Sequence, residues 1–519
     1  MAQHTQTARQ KEAGTLGLLV AMVRRLGEGG EAATTEAVVS ALTEALGSSE
    51  SAARAWLAAS DVMAEYLTAP VEEASDALDE ETSAVAASRR AFRPLLQARL
   101  QVRLDRIDEA TVGQATCSEC GGAMSSHGRR TRGWESTLGT LELTRRWSLC
   151  TESKQHPGRS LAQERLLLPE GTHTAHLEES ITLMATTVPH GMATALIGRL
   201  LGVSISEHAV QDAAERRGAG VEALQAAGAQ ELRPFDDLGL ERPWARPDDA
   251  VEQAPEVAYV EVDGVLPMTR ELDEGQSQPV RGARGGKGLR YTLVGREVKN
   301  AVLYTDQDCA RESDSRGCLL DKGYVSHLGH WKDFALQLWS SMVQRRFDEA
   351  QRVVLLSDGA DWIRSLAEWL PTPVFLILDL YHAMHRIWEV GRAVYGEKTP
   401  ECSAWAAEQC RRVEAGQVDG VIESLCFLAG DSPRGREKIE ELVTYFKNNR
   451  DRMDYPSYKA QGLRITSGIV ESANYHVTGA RLKLQGMRWS EEGAAQMAKL
   501  RADLFNDVWS ERTRQLLAA

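Results

Sequence analysis

Nowhere does an apolar run reach the roughly 18 residues that a membrane-spanning helix requires, so no segment is expected to cross a bilayer. The opening residues MAQHTQTARQKEAG have no apolar core of the secretory-signal kind, and a cytoplasmic protein is expected. Cysteine is sparse, 8 in 519 residues, which excludes a disulfide framework and suits a reducing compartment. Net positive charge is missing as well. A balance of −14 argues against a uniformly basic nucleic-acid binder, because phosphate contacts need Lys and Arg.

The distribution of charge softens that exclusion. Residues 1–110 hold 11 Lys/Arg against 17 Asp/Glu, and 207–256 hold 5 against 12, so two stretches carry nearly all of the excess acid. Residues 124–159 hold 7 Lys/Arg against 3 acids, and 464–488 hold 4 against 1. At this length one core is too few, and three or four domains are expected.

Three distant stretches each deliver one carboxylate: EVAYVEVDG (256–264) with Asp263, RVVLLSDGADW (352–362) with Asp358, and RITSGIVESAN (464–474) with Glu471. The first two read as buried strands ending in an Asp-Gly turn. In the third, Thr466 or Ser467 is expected to cap a helix bearing Glu471 about one turn in. Two strand-end aspartates and a helical glutamate make a hard-oxygen set suited to Mg²⁺ or Mn²⁺, and a pair of such ions clamps both oxygens of an in-line phosphoryl displacement. An Asp-Gly after a strand is more often a plain turn. Their order carries more weight: between the two lie LRYTLVGREV, AVLYT, the amphipathic HLGHWKDFALQLWSSMVQRRF and then RVVLLS, a strand, strand, helix, strand order of RNase H-like type.

VEVDG, GREVKNAVLY, LLSDGADWI, ILDLYHAMH, SGIVESAN and RLKLQGMRWSEEGA, in this order over about 110–510, resemble the DDE transposases of bacterial insertion sequences, most closely the ISKra group. The resemblance implies that Asp263, Asp358 and Glu471 are the metal-binding catalytic triad, with Asp263 bridging both ions. It also implies double-stranded DNA partners (transposon ends and target), a homo-oligomer on DNA, and nucleoid association. Glu491 and Glu492 are rival third ligands, but they open a fresh helix after Trp489-Ser490, where acids suit the positive helix end.

The expected fold class is multidomain α+β. An RNase H-like α/β core with a mixed sheet, interrupted by an all-helical insertion, follows helical, zinc-ribbon-like and helix-turn-helix-like segments. The expected spans are 1–107 (helical, beginning with LGLLVAMVRRLG), 108–170 (ribbon), 171–232 (helix-turn-helix), 233–255 (linker), 256–385 (core), 386–463 (insertion) and 464–519 (core, with the Glu471 helix).

In the ribbon, Cys117 and Cys120 have zinc-knuckle spacing and Cys150 follows, but Ser153 stands where the family has a fourth cysteine. Either His156 completes a Zn²⁺ site or the ribbon is metal-free and held by packing. Arg129, Arg130, Arg132, Arg145 and Arg146 are candidate phosphate contacts, or else a solvated face. In 176–218, LGVSIS reads as the turn before a helix capped by Ser206, which would present His208, Gln211, Arg216 or Arg217 to a major groove; a plain helical pair is the competing reading. Asp379 and His382 form a DxxH step at a strand–helix junction, read as supporting the metal site from behind its ligands. In the insertion, Trp388, Trp405, Lys447 and Arg450 are candidates to hold DNA ends, though both tryptophans suit a core equally well. After Glu471, a continuing helix offers Arg481, Lys483 and Arg488 close to the site. The function expected is metal-dependent cleavage of transposon ends and strand transfer into target DNA; the alternative is an inactive, domesticated DNA-binding or assembly protein with the same fold.

Overall fold

The computed structural model describes residues 35–46, 49–69, 76–248, 250–272, 291–313, 316–428, 430 and 432–518. The expected helix LGLLVAMVRRLG lies outside the described residues. The chain forms two compact units, Met1–Met184 with Gly191–Val210 and Leu517–Ala519, and Ala185–His190 with Gln211–Leu516.

In the first unit, helices Thr35–Leu46, Glu50–Thr68 and Ala77–Ala110 are amphipathic or alanine-rich, and Val39, Leu42 and Ala53 are buried between the first two. The hairpin β1 (Met124–Ser136) and β2 (Gly139–Cys150) pairs Met124 with Cys150 at its open end and Ser136 with Gly139 at its turn. Its inward residues Trp134 and Leu143 close over Leu104 and Ala162, which is why a ribbon this short has a dry core. The expected two-helix motif is more broken than its apolar rhythm suggests. Pro189 lacks the N–H to continue helix Ala175–Thr187, so a second piece begins at His190, and Gly202 in the left-handed region ends a π turn at Ile197–Leu201. Ser206 caps helix Glu207–Glu231 as expected, accepting from Ala209 N–H at 3.1 Å.

The second unit is built on a mixed five-stranded sheet. Its strands are β3 (Val257–Val265), β6 (Val298–Thr305), β9 (Gly323–Leu328), β10 (Arg352–Ser357) and β11 (Val374–Leu378); β4 (Met268–Leu272) with β5 (Tyr291–Gly295), and β7 (Cys309–Ser313) with β8 (Arg316–Leu319), are separate two-stranded ribbons. The sheet order is β11-β10-β3-β6-β9, with β11, β10 and β3 parallel and β6 antiparallel to both β3 and β9. LRYTLVGREV is therefore not one core strand. Its first half joins the β4–β5 ribbon, its end opens β6, and the strand GYVSHL before the helix completes the sheet.

Central strands apolar on both faces must be covered on both. Val260, Val262, Val353 and Leu355 pack against helices Trp331–Gln344 and Asp361–Trp369 through Phe334, Leu338 and Leu366. Tyr259, Val354 and Leu356 face helix Leu380–Tyr395 and the helical insertion. Among the described residues of that insertion the regular elements are all helical, as expected: Pro400–Glu414, Val418–Cys426, Pro433–Asn449, a 3₁₀ turn at Arg450–Arg452, and Tyr455–Ala460. Trp388 and Trp405 pack against its core. The expected linker 233–255 has little regular structure but is pinned to the sheet unit: Phe235 meets Trp369, Trp244 meets Trp339, and Arg246 pairs with Asp348.

Candidate active site

Parallel strands direct their C-terminal ends to one edge, and there the register lines up three acids. Ser357 pairs with Val262 on one side and with Leu378 on the other, so the next position along each strand is Asp358, Asp263 and Asp379. Asp263 is not at a strand end, contrary to expectation. β3 stays paired with β6 through Asp263↔Asn300 to Val265↔Val298 after its pairing with β10 has stopped. Its Asp-Gly is thus strand, whereas the Asp-Gly of Asp358 is a turn. Gly359 sits at φ +88°, and a Cβ there would fall 2.7 Å from Leu378 Cδ1.

Glu471 arrives from the opposite direction on the short helix Gly468–Ala473. No side chain of its own caps this helix, which corrects the expected role of Thr466 or Ser467. Two buried carboxylates of the sheet unit do so instead. Asp379 accepts from Ser467 N–H at 2.7 Å and Glu261 accepts from Val470 N–H at 2.8 Å. The remaining oxygen of Asp379 receives His382 N–H at 2.7 Å and His382 Nδ1 at 2.8 Å. With three donors on it, Asp379 holds both the first turn of the Glu471 helix and the His382 ring. Asp379, His382 and Glu471 have ligand atoms all within 4.8 Å of one another.

Asp263 and Asp358 stand beside this trio. Burial pushes the Asp263 carboxyl up to about 6, and Asp358 and Glu471 push the same way, against the Gly264 N–H and His382. His382 is raised, first by its hydrogen bond to Asp379 and then by Asp263 and Asp358. Acids that raise one another's affinity for a proton also favour a divalent cation. A donor set of carboxylate oxygens with one imidazole is of the hard kind that suits Mg²⁺ or Mn²⁺.

Several residues escaped sequence reasoning. Asn474 Nδ2 donates to Asp263 Oδ2 at 2.5 Å, Asn300 Nδ2 to Asn474 Oδ1 at 2.7 Å, and Ser326 Oγ to Asn300 Oδ1 at 2.5 Å. This polar line fixes Asp263 from behind. Asn474 reaches it because the chain widens into a π turn, Asn474–Gly479, rather than continuing an α-helix, an irregularity typical of functional sites. Tyr445 of the insertion donates to the Asp358 carbonyl at 2.6 Å, with Arg386 over its ring at 4.3 Å.

Residues 309–515 match the profile of an uncharacterised protein family, UPF0236. That span contains Asp358, Asp379, His382 and Glu471, while Asp263 and the cysteine cluster precede it. Similar proteins include a UPF0236 protein of Caldanaerobacter subterraneus subsp. tengcongensis, 26% identical over 42% of this chain and 46% of its own length. Another from the same organism is 26% identical over 49% of each, and its name joins eleven locus designations. The UPF0236 protein in the vanSb 3′ region of Streptococcus gallolyticus is 22% identical over 62% of this chain and 61% of that protein. The chain spans about half the length of the curated relatives it matches first.

The candidate nucleic-acid side chains fare unequally. Arg145 is buried, stacked on Trp134 and Trp147 and bonded to Gln163, and Arg481 is buried over Trp489, donating to the Ala185 carbonyl. Arg217 lies over the Trp509 ring at 4.0 Å. These three are structural cations, and their expected DNA contact is corrected by their burial. Arg129 pairs with Asp105, and Arg132 donates to the Glu170 and Gly171 carbonyls. Arg146 is half-buried. Arg130, Lys483 and Arg488 are exposed, Arg488 also donating to Tyr291 OH at 2.6 Å. His208 and Arg216 are exposed, and Gln211 is turned to Glu215. Lys447 and Arg450 are exposed, Arg450 being paired with Asp419.

The ribbon brings its four candidate ligands together. Cys120 and Cys150 sulfurs are 3.7 Å apart, Cys117 Sγ is 3.5 Å from His156 Nδ1, and all four atoms lie within 4.8 Å of one another. A tetrahedron with Zn–S bonds of about 2.3 Å has edges of about 3.8 Å, so the cluster has the dimensions of a Cys₃His site. Burial pushes the Cys150 thiol up, but the Ser153 N–H, His156 and the Glu152 N–H outweigh it and hold it down at about 6.

Proposed function

We propose that this protein is a DDE-type transposase that cleaves transposon-end DNA and joins the 3′ hydroxyl to target DNA. The observation that carries the reading is Asp263 and Asp358 level on neighbouring parallel strands, with Glu471 brought to them by a helix held on two sheet carboxylates. Renumbered within the sheet, the strand order is 3-2-1-4-5 with the second strand antiparallel, which supports an RNase H-like core. A helical insertion between Asp358 and Glu471 supports the same reading. So does a relative whose one name covers eleven loci, as a sequence repeated through a genome would have.

Asp263, Asp358 and Glu471 would hold divalent ions, and the chemistry such ions would supply is stabilisation of the charge that develops in phosphodiester cleavage. The chain's own contribution is alignment. Asn474 fixes the Asp263 carboxylate, Asp379 fixes the His382 ring through Nδ1, and Tyr445 anchors the turn that carries Asp358. Lys483 and Arg488 supply phosphate contacts beside the site, and Cys117, Cys120, Cys150 and His156 would hold Zn²⁺, which would stiffen the ribbon as a DNA-facing module.

Asp358→Asn tests this reading. An amide oxygen is a far weaker ligand, so Mg²⁺-dependent cleavage of an end duplex is expected to fall by at least about 10³-fold while the melting temperature stays within a few degrees. Cleavage at the wild-type rate would remove Asp358 from the site, and no cleavage by either protein would favour the inactive, domesticated alternative.

A further inference from the structure

Glu261 has no part in the three-carboxylate scheme, yet it is fully buried in β3, two residues before Asp263. A carboxylate in a sheet interior costs several kcal/mol unless its oxygens are occupied. Both are: Tyr304 OH donates to Oε1 at 2.6 Å and Val470 N–H to Oε2 at 2.8 Å. Val470 is the third residue of helix Gly468–Ala473, so its N–H has no partner within the helix, and Glu471 is the next residue.

Resting on the metal-site reading above, we propose that Glu261 is a positioning residue that sets Glu471 against Asp263 by tying the first turn of the Glu471 helix to the strand that carries Asp263. The N–H groups of a helix's first turn have no partners within the helix, so that turn is held only from outside, and here the α-helical stretch gives way to the π turn Asn474–Gly479 after six residues. Asp379 grips Ser467 N–H and Glu261 grips Val470 N–H, three residues apart. Two such grips fix the turn's rotation as well as its distance, and with them the direction in which Glu471 points. One strand therefore carries both a proposed ligand and the group that aims another. Val470 N–H requires only a lone pair, so the grip depends on the reach of the side chain and not on its charge.

Reach and charge can be separated. Mn²⁺ is titrated calorimetrically into the full-length wild type, Glu261→Gln and Glu261→Asp, at a temperature where circular dichroism finds all three folded. Glu261→Gln keeps the length and one oxygen for Val470, and its affinity is expected to stay within about threefold of wild type. Glu261→Asp keeps the charge but is one methylene short, and is expected to bind about 10–100-fold more weakly. If Glu261→Asp does not fold, Glu261→Leu, similar in volume and without an acceptor, is expected to show the same loss. Wild-type affinity in the shortened or apolar variant, or a larger loss in Glu261→Gln than in Glu261→Asp, overturns the proposal alone. Wild type that binds no Mn²⁺, or Asp263→Asn that binds as wild type does, overturns the metal-site reading and this proposal with it.

Discussion

At the scale of single residues, much of the candidate site depends on positions that allow one side chain. Gly359 is such a position, because its positive φ and the nearby Leu378 methyl both oppose a Cβ. Gly359→Ala is expected to cost about 1–3 kcal/mol, read from urea denaturation, and to lower cleavage by shifting Asp358. His327 is a second. Burial, with Lys499 and Lys299 nearby, holds its imidazole down at about 3, whereas in the unfolded chain it titrates near 6.5. A base with a depressed folded pKa stabilises fully above its unfolded value and loses that contribution as pH falls toward the folded one. His327→Gln lacks this dependence, so its stability relative to wild type is expected to rise as pH falls below about 6.5, by roughly 1.4 kcal/mol per unit. Urea midpoints of the two proteins at pH 7.5 and pH 5 test it; an unchanged difference would mean that His327 is protonated in the fold.

Among the elements, the ribbon and the Glu471 helix show how a short piece of chain is made to hold one shape. The hairpin's open end is where Cys120 and Cys150 meet, and that is the end most prone to fray. On the reading proposed above, one Zn²⁺ would close it there. Metal analysis of the purified protein is expected to give about one zinc per chain, with His156→Ala binding more weakly and Cys150→Ala losing the metal, since thiolate is the stronger donor. Less than about one tenth of a zinc per folded chain would leave the ribbon held by Trp134 and its neighbours alone. The Glu471 helix has no side-chain cap of its own and depends on Glu261 of β3 and on Asp379, just past the end of β11. Nothing within RITSGIVESAN announces that. Thr466 and Ser467 are good local caps, but the sheet carboxylates reach the same N–H groups.

For the whole molecule, a net charge of −14 means that the DNA binding proposed above would have to rest on local patches. The ribbon arginines are less available than their number suggests, because Arg145 is buried and Arg129 and Arg132 already have partners. Arg130→Ala is therefore expected to flatten the salt dependence of binding to an end duplex by about one unit of slope. Arg145→Ala is expected to leave the slope unchanged and lower the melting temperature, because it removes a guanidinium packed between two tryptophans. Equal slope changes in the two variants would put Arg145 on the DNA.

Local patterning by itself determined the strands β3 and β10, the helical insertion, the Ser206 cap and the DxxH junction, since each follows from apolar runs and side chains a few residues apart. The three acids were legible because Asp-Gly and Ser-Gly punctuate those runs. Tertiary structure alone decided the rest. That Asp263 lies within its strand, level with Asp358 and Asp379, is a matter of register between segments about 100 residues apart. That Glu261, Asn300 and Asn474 serve the site, and that Arg145, Arg217 and Arg481 do not face solvent, follows from which buried donors meet which acceptors once the sheet is covered. A buried polar group must find a partner, and that partner is chosen by packing across the fold and leaves no local mark in the sequence.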